Sequence, residues 1–273
     1  MVHYTLTQWM CFFYLYSFAG WVIESAIVSV STGKLVNRGF LRSPMLPLYG
    51  SGAVLILAIS IPLEADPAAV YFGGMIGATA LEYCTAAAME SMFKMKYWDY
   101  TGQRFQFQGR ICLKSSLFWG VLSVVLTEYL HPPVERFVLG LPAFTAAGSV
   151  FAVTAAALAD AVFAVRAALD LKKLLERITR IRAELETASR QLLEQLGAPP
   201  EEAQALRARI DSLKDELRLA FGRVGFLKSQ LIKAHPHASS RHFGAALAEL
   251  RERIEQRVQK ALDEQNGSPE ERK

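Results

Sequence analysis

Residues 6–30 read LTQWMCFFYLYSFAGWVIESAIVSV, and among them only Glu24 is charged. A helix needs about 20 mostly apolar residues to cross roughly 30 Å of hydrocarbon, so this stretch predicts a membrane span. It is too long for the apolar region of a secretion signal and has no Lys or Arg ahead of it, which predicts that it is retained. Four further apolar windows follow, at about 44–63, 67–93, 112–130 and 141–165. The second opens Pro44-Met45-Leu46-Pro47, and proline is tolerated in a first helical turn. The third carries Gly73, Gly74 and Gly77, which let helices approach closely. The predicted fold class is all-α: a polytopic membrane helical bundle of five transmembrane helices over residues 1–165.

The whole-chain averages conceal this division. The chain has 273 residues, 52% hydrophobic, with a formal net charge of +4. Its mean hydropathy is only +0.19, because the region after Arg166 is dense in Glu, Arg, Lys, Gln and Leu. The bases in the short connections between spans are explained better by orientation than by nucleic acid. Cys11, Cys84 and Cys112 lie in or beside apolar segments without a CxxC pair, so neither a disulfide framework nor a metal site is expected.

Basic connections alternate with base-poor ones. The first (31–43) holds Lys34, Arg38 and Arg42, and the third (94–111) holds Lys94, Lys96, Arg104 and Arg110. The second has Glu64 and Asp66 without a base, and the fourth has Arg136 beside Glu135. By the positive-inside rule this predicts a multi-pass protein of the cell membrane, with its N-terminus outside and its tail in the cytoplasm.

In the tail, Leu171, Leu174, Ile178, Ile181, Leu185, Ala188 and Leu192 repeat at alternating three-and-four spacing, the seam of a coiled coil. Gly197-Ala198-Pro199-Pro200 interrupts it, and the seam resumes from Ala203 through Leu206, Ile210, Leu213, Leu217, Ala220, Val224, Leu227 and Leu231. Two such helices predict an antiparallel hairpin. A second break at 235–240 precedes a shorter helix with Leu247, Leu250 and Ile254. The cytoplasmic tail is thus expected over 166–265, with a disordered end at 266–273. His235, His237 and His242 stand in a Pro/Ser-containing linker without acidic or Cys support and predict no metal site.

Charged groups inside a span are costly and default to site candidates. Glu24 lies toward the inner end of the first span, and Glu82 and Glu90 lie in the third, Glu82 the deeper by about 12 Å at 1.5 Å per residue. Glu128, His131 and Asp160 are close enough to an interface to be solvated. Asn37 and Arg38 in the first inner loop, and Trp98, Asp99, Tyr100 and Arg110 in the third connection, gather on the same side. Tyr83 stands next to Glu82. An Arg paired with a buried carboxylate would satisfy both. Phe105-Gln106-Phe107-Gln108 alternates as a short strand, predicting a hairpin with a Thr101-Gly102 turn.

These residues also carry a resemblance. The run Phe13 to Glu24 with Gly20, Asn37-Arg38-Gly39-Phe40-Leu41, Pro44, Pro47-Leu48-Tyr49-Gly50, Leu81-Glu82-Tyr83, Trp98-Asp99-Tyr100 and Gly109-Arg110-Ile111-Cys112-Leu113 occur in that order. Over about residues 12–132 the chain resembles the bacterial family of type IV ABC transporter permeases, with Arg42-Ser43 in place of an aromatic and a glycine. The resemblance implies a permease-like membrane component and a separate ATPase subunit; it implies no substrate. The chain itself has no GxxxxGK[ST] phosphate loop, no cofactor motif and no recognisable catalytic spacing. The expected partners are membrane lipid, that ATPase, and a homo- or hetero-oligomer formed through the tail. Two other readings stay open: an enzyme or headgroup binder at the cytoplasmic face, and a membrane-anchored coiled-coil scaffold.

Overall fold

The computed structural model describes residues 4–33, 35–194 and 200–266 and is nearly all helical. Helix α1 spans Leu6–Thr32. Thr5 and Gln8 cap it reciprocally: Thr5 Oγ1 accepts from the Gln8 N–H, and Gln8 Oε1 from the Thr5 N–H. Gly33, at φ +65°, ends it. Helix α2 spans Pro47–Ser60 and tightens into a 3₁₀ turn at Ile61–Leu63. The window expected to open at Pro44 therefore starts its helix at Pro47, whose missing N–H costs nothing in a first turn. Helix α3 spans Pro67–Phe93, with Asp66 Oδ1 accepting from the Ala68 and Ala69 N–H groups at its start.

The expected hairpin is present with a different turn. Strand β1 (Gln106–Phe107) pairs antiparallel with β2 (Ile111–Cys112). Its reversal falls at Gln108-Gly109, both with positive φ, and not at Thr101-Gly102. Helix α4 (Leu113–Val125) then passes through a π turn at Leu126–Leu130 into α5 (His131–Leu139). Pro132 and Pro133 have no N–H to give, which disrupts the regular ladder there. Helix α6 runs unbroken over Ala143–Glu194.

The chain divides into two compact units. The first comprises residues up to Met92, Lys96–Arg166 and Ala234–Ala238. Phe12, Leu57, Trp119 and Val138 lie in its core. Helices α1 and α2 cross closely where glycines permit: a Cβ on Gly20 would lie 2.4 Å from the Tyr49 side chain, and one on Gly50 would lie 2.4 Å from the Phe13 carbonyl oxygen. Gly74 and Gly77 likewise bring α3 against Ser123 and Ile59. The outward faces are apolar, with Ile27, Ile76, Phe118 and Phe151 each more than half exposed.

Among the described residues two helices, α1 and α6, are long and apolar enough to cross a membrane by length and composition, not the expected five. Three physical features account for the difference. The apolar helix Pro47–Leu63 is short, α4 ends after 13 residues, and α3 has Glu82, Glu90 and three glycines among its apolar residues.

The second unit comprises Phe93–Met95, Ala167–Lys233 and the residues from Ser239 on. It contains the remainder of α6, α7 (Pro200–Gly222), α8 (Phe226–Ala234, except Ala234) and α9 (Gly244–Asn266). Arg177 pairs with Glu216 and Glu184 with Arg209, so α6 and α7 run antiparallel. Arg182 pairs with Glu249 of α9, and the Arg253 guanidinium lies 4.0 Å from the Phe221 ring centre. The seam residues Leu171, Leu174, Ile178, Ile210 and Leu213 are buried, but so are Leu175 and Phe221 outside it. That stripe is wider than a two-helix seam needs and suits a bundle. The second seam is broken at 223–225, between Gly222 and Gly225, where glycine weakens a helix by about 1 kcal/mol. Lys34, residues 197–199 of the first expected break, and the expected disordered end beyond Asn266 lie outside the described residues.

Candidate functional site

Two polar groups form at one end of the first unit. In the first, Tyr49 Oη donates to Glu24 Oε1 at 2.7 Å, and Arg38 Nε stands 3.7 Å from Glu24 Oε2. Arg38 Nη1 also donates to the Ala234 carbonyl within the same unit. Asn37 shapes the loop beside them: its Oδ1 accepts from Trp21 Nε1 at 2.7 Å and from the Gly39 N–H at 3.0 Å, and its Nδ2 donates to the Arg42 carbonyl. Gly39 is confined, since a Cβ there would lie 2.8 Å from the Leu41 carbonyl oxygen.

The second group is built on α3, the hairpin and α4. Glu82 is 4% exposed. Tyr100 Oη donates to its Oε1 at 2.9 Å and Trp119 Nε1 to its Oε2 at 3.0 Å. Ser115 Oγ stands 3.4 Å from Oε2 but closer, at 2.9 Å, to the Cys112 carbonyl. Burial, and then the adjacent Glu82 carboxylate, hold the Tyr100 hydroxyl above its ordinary pKa, so it remains a protonated donor.

Two helical turns along α3, Glu90 Oε2 accepts from Arg110 Nε at 2.9 Å. Arg110 Nη1 donates to Tyr83 Oη at 3.0 Å and to Gln108 Oε1, and its guanidinium lies 5.3 Å from the Tyr83 ring centre. Trp98 Nε1 donates to the Arg110 carbonyl at 3.0 Å. Asp99 accepts from the Thr101 N–H and lies 3.6 Å from Lys96 Nζ. Gly109, at φ +68°, leaves room for Lys96 and Asp99: a Cβ there would lie 2.5 and 2.6 Å from them.

The expected pairing of an Arg with a carboxylate forms twice, though not at the most deeply buried one. Arg38 goes to Glu24 and Arg110 to Glu90, while Glu82 takes neutral donors. Trp119, which did not stand out in the sequence, joins the groups: its ring lies 5.9 Å from that of Tyr49. Arg38, Glu24, Tyr49, Trp119, Glu82 and Tyr100 thereby make one continuous track.

His131 is 5% exposed rather than solvated. Tyr4 Oη donates to Glu135 Oε1, so its oxygen accepts from His131 Nε2 at 3.1 Å and His131 Nδ1 accepts from Tyr16 Oη at 3.0 Å. The spacing of His131 and Glu135, one helical turn apart, was the signal available for this cluster. Asp160 is also partnered, its Oδ2 accepting from the Ser43 N–H at 2.7 Å. Glu128 is exposed.

No curated protein and no solved structure matches the chain. One family model does, over residues 11–165, which takes in both polar groups and extends beyond the region of the sequence resemblance. That match covers more than half of the chain, which belongs to the family described as Putative ABC-transporter type IV.

Proposed function

We propose that this chain is the integral membrane component of an ABC-type transporter, that it crosses the membrane five times with its N-terminus outside, and that the track from Arg38 to Tyr100 lines its polar path at the cytoplasmic face. The observation that carries the reading is the Tyr49–Trp119 pair joining two helix-borne carboxylates, Glu24 and Glu82, inside a unit whose outward faces are apolar. Ionisable groups in such a place are expensive and mark substrate or ion paths. The exposed apolar residues of α3 and α4 support crossings by these helices as well, since Ile76 and Phe118 face outward as lipid-facing residues would. The acids that lower the hydropathy of α3 are both partnered within the fold. With no phosphate loop in the chain, nucleotide hydrolysis belongs to a separate ATPase docked on the basic inner loops, and the helical tail is a further site for assembly.

Affinity purification of the full-length chain from its native membranes is expected to bring down a P-loop ATPase. Glu82→Gln tests the path: the amide oxygen can face Trp119 while its NH₂ meets a Tyr100 hydroxyl that rotates to accept, so folding is retained. Transport-dependent growth is expected to fail although membrane levels stay normal. Normal growth with Glu82→Gln, together with no nucleotide-binding partner, overturns the reading. Topology is checked separately in a background lacking the native cysteines. An impermeant thiol reagent added outside should label Glu64→Cys but neither Arg42→Cys nor Arg104→Cys.

A further inference from the structure

A groove of about 450 Å³ opens on the side of the first unit, between α3, the hairpin and α4. Met75, Ile76, Ala80, Phe107 and Ile111 make its walls, and it is apolar along most of its length. Its α3 wall runs from Met75 to Tyr83, about 12 Å at 1.5 Å per residue, toward the end where Arg110 lies over the Tyr83 ring. Around that end the charges do not cancel. Glu90 is taken by Arg110 and Asp99 by Lys96. Arg104 and Lys114 are exposed beside the hairpin and make no ion pair among the described residues. Lys114 sits in the first turn of α4 next to Ser115, whose Oγ stands 3.4 Å from Glu82 Oε2, so it is level with the Tyr83 end of the groove. The Leu113 N–H donates to the Phe105 carbonyl, which sets Arg104 beside it in the chain pairing.

We infer that this groove seats one acyl chain of an anionic phospholipid of the inner leaflet, with the phosphate at the Arg104–Lys114 end. The inference rests on the membrane-embedded reading above and adds a ligand to it. An apolar channel that ends at unneutralised cations matches an amphiphile with a negative head, since basic residues at the membrane surface attract anionic lipid. An uncharged apolar helix from a partner would gain nothing from those cations. Phe107, packed 5.8 Å from the Tyr83 ring, closes the groove from the hairpin side.

The test uses the full-length protein in nanodiscs of phosphatidylcholine containing a trace of phosphatidylglycerol with a photoactivatable acyl chain. Adducts are mapped by mass spectrometry. Labelling is expected to concentrate at Met75, Ile76, Ala80 and Phe107, and to fall there by about tenfold in Ala80→Trp, which fills the groove, as for a loss of about 1.4 kcal/mol. Preference over the matching phosphatidylcholine probe is expected to fall by about tenfold or more in Arg104→Gln/Lys114→Gln. Labelling spread evenly over the outward faces of α1, α4 and α6, or equal labelling by both probes, overturns the inference and leaves the membrane reading intact. Absence of labelling on α1 and α6 as well would instead sink the membrane reading itself.

Discussion

The crossing of α1 and α2 makes a quantitative prediction through two glycines of one helix. A Cβ on Gly50 would lie 2.1 Å from Ser17 Oγ and 2.4 Å from the Phe13 carbonyl oxygen, whereas one on Gly52 meets nothing within 4 Å. Ordinary contact begins near 3.4 Å, so Gly50→Ala must push α1 away by about 1 Å against backbone that cannot swing aside. Overpacking of this kind costs about 1–3 kcal/mol, offset by the roughly 0.8–1 kcal/mol that alanine gains over glycine in a helix. Gly52→Ala collects the helix gain without the clash. The helix gain is common to both, so the two variants should differ by the overpacking cost alone, about 1–3 kcal/mol in the stability of the first unit. Denaturation of the purified protein in detergent, followed by tryptophan fluorescence, measures the difference. Ser17 Oγ is buried without a hydrogen-bond partner, so Ser17→Ala should be tolerated alone and should restore only part of the loss in Gly50→Ala, because the Phe13 carbonyl remains. Equal stability of Gly50→Ala and Gly52→Ala would refute the crossing geometry, as would full rescue by Ser17→Ala.

Three more predictions concern other parts of the chain. Trp119→Phe keeps the ring but removes one of the two short hydrogen bonds to Glu82, and should cost about 1–3 kcal/mol in the same assay. Burial lowers the pKa of His131, with Glu135 opposing, so the folded state takes up the proton less readily than the unfolded chain. The cluster of Tyr4, Tyr16, His131 and Glu135 is then fully stable above the unfolded value of about 6.5 and loses stability as pH falls below it. Trp9, whose ring lies 5.1 Å from that of Tyr4, should report the loosening by fluorescence, and His131→Gln should abolish the pH response. In the tail, Leu175→Ala, at a fully buried position, should cost about 2–5 kcal/mol. Arg177→Ala, at an ion pair a little under half exposed, should cost under about 1 kcal/mol by circular dichroism of the melting transition.

The sequence showed the helical class directly, because apolar windows and heptad spacing are properties of the chain taken one residue at a time. The wider burial in the tail was not visible in that way: Leu175 and Phe221 lie outside the seam and are buried, with Arg253 of a third helix over the Phe221 ring, and no periodicity within one helix announces a third partner. The carboxylates Glu24, Glu82 and Glu90 stood out because charge in an apolar run is expensive. Their partners were only partly legible. An arginine was the expected complement to a buried carboxylate, and Arg38 and Arg110 take that place at Glu24 and Glu90, whereas Trp119 and Tyr100 satisfy Glu82 with neutral N–H and O–H groups. Trp119 looks like any apolar residue of its helix until its indole nitrogen is placed in space. Similarly, His131 read as an interfacial residue, since Tyr4 and Tyr16, which bury it, are more than a hundred positions away.

Tyr49 has a mechanical consequence. Its hydroxyl is tied to Glu24, its ring leans on Trp119, and its Cβ fills the space over Gly20. Arg38 belongs to the loop between α1 and α2 and Tyr100 to the segment between α3 and α4, and only side chains in direct contact lie between them. A continuous run of packed and hydrogen-bonded groups is the physical means by which force passes between distant sites. A partner that presses on one loop therefore acts on a lever whose other arm is the second loop, with Tyr49 as the fulcrum.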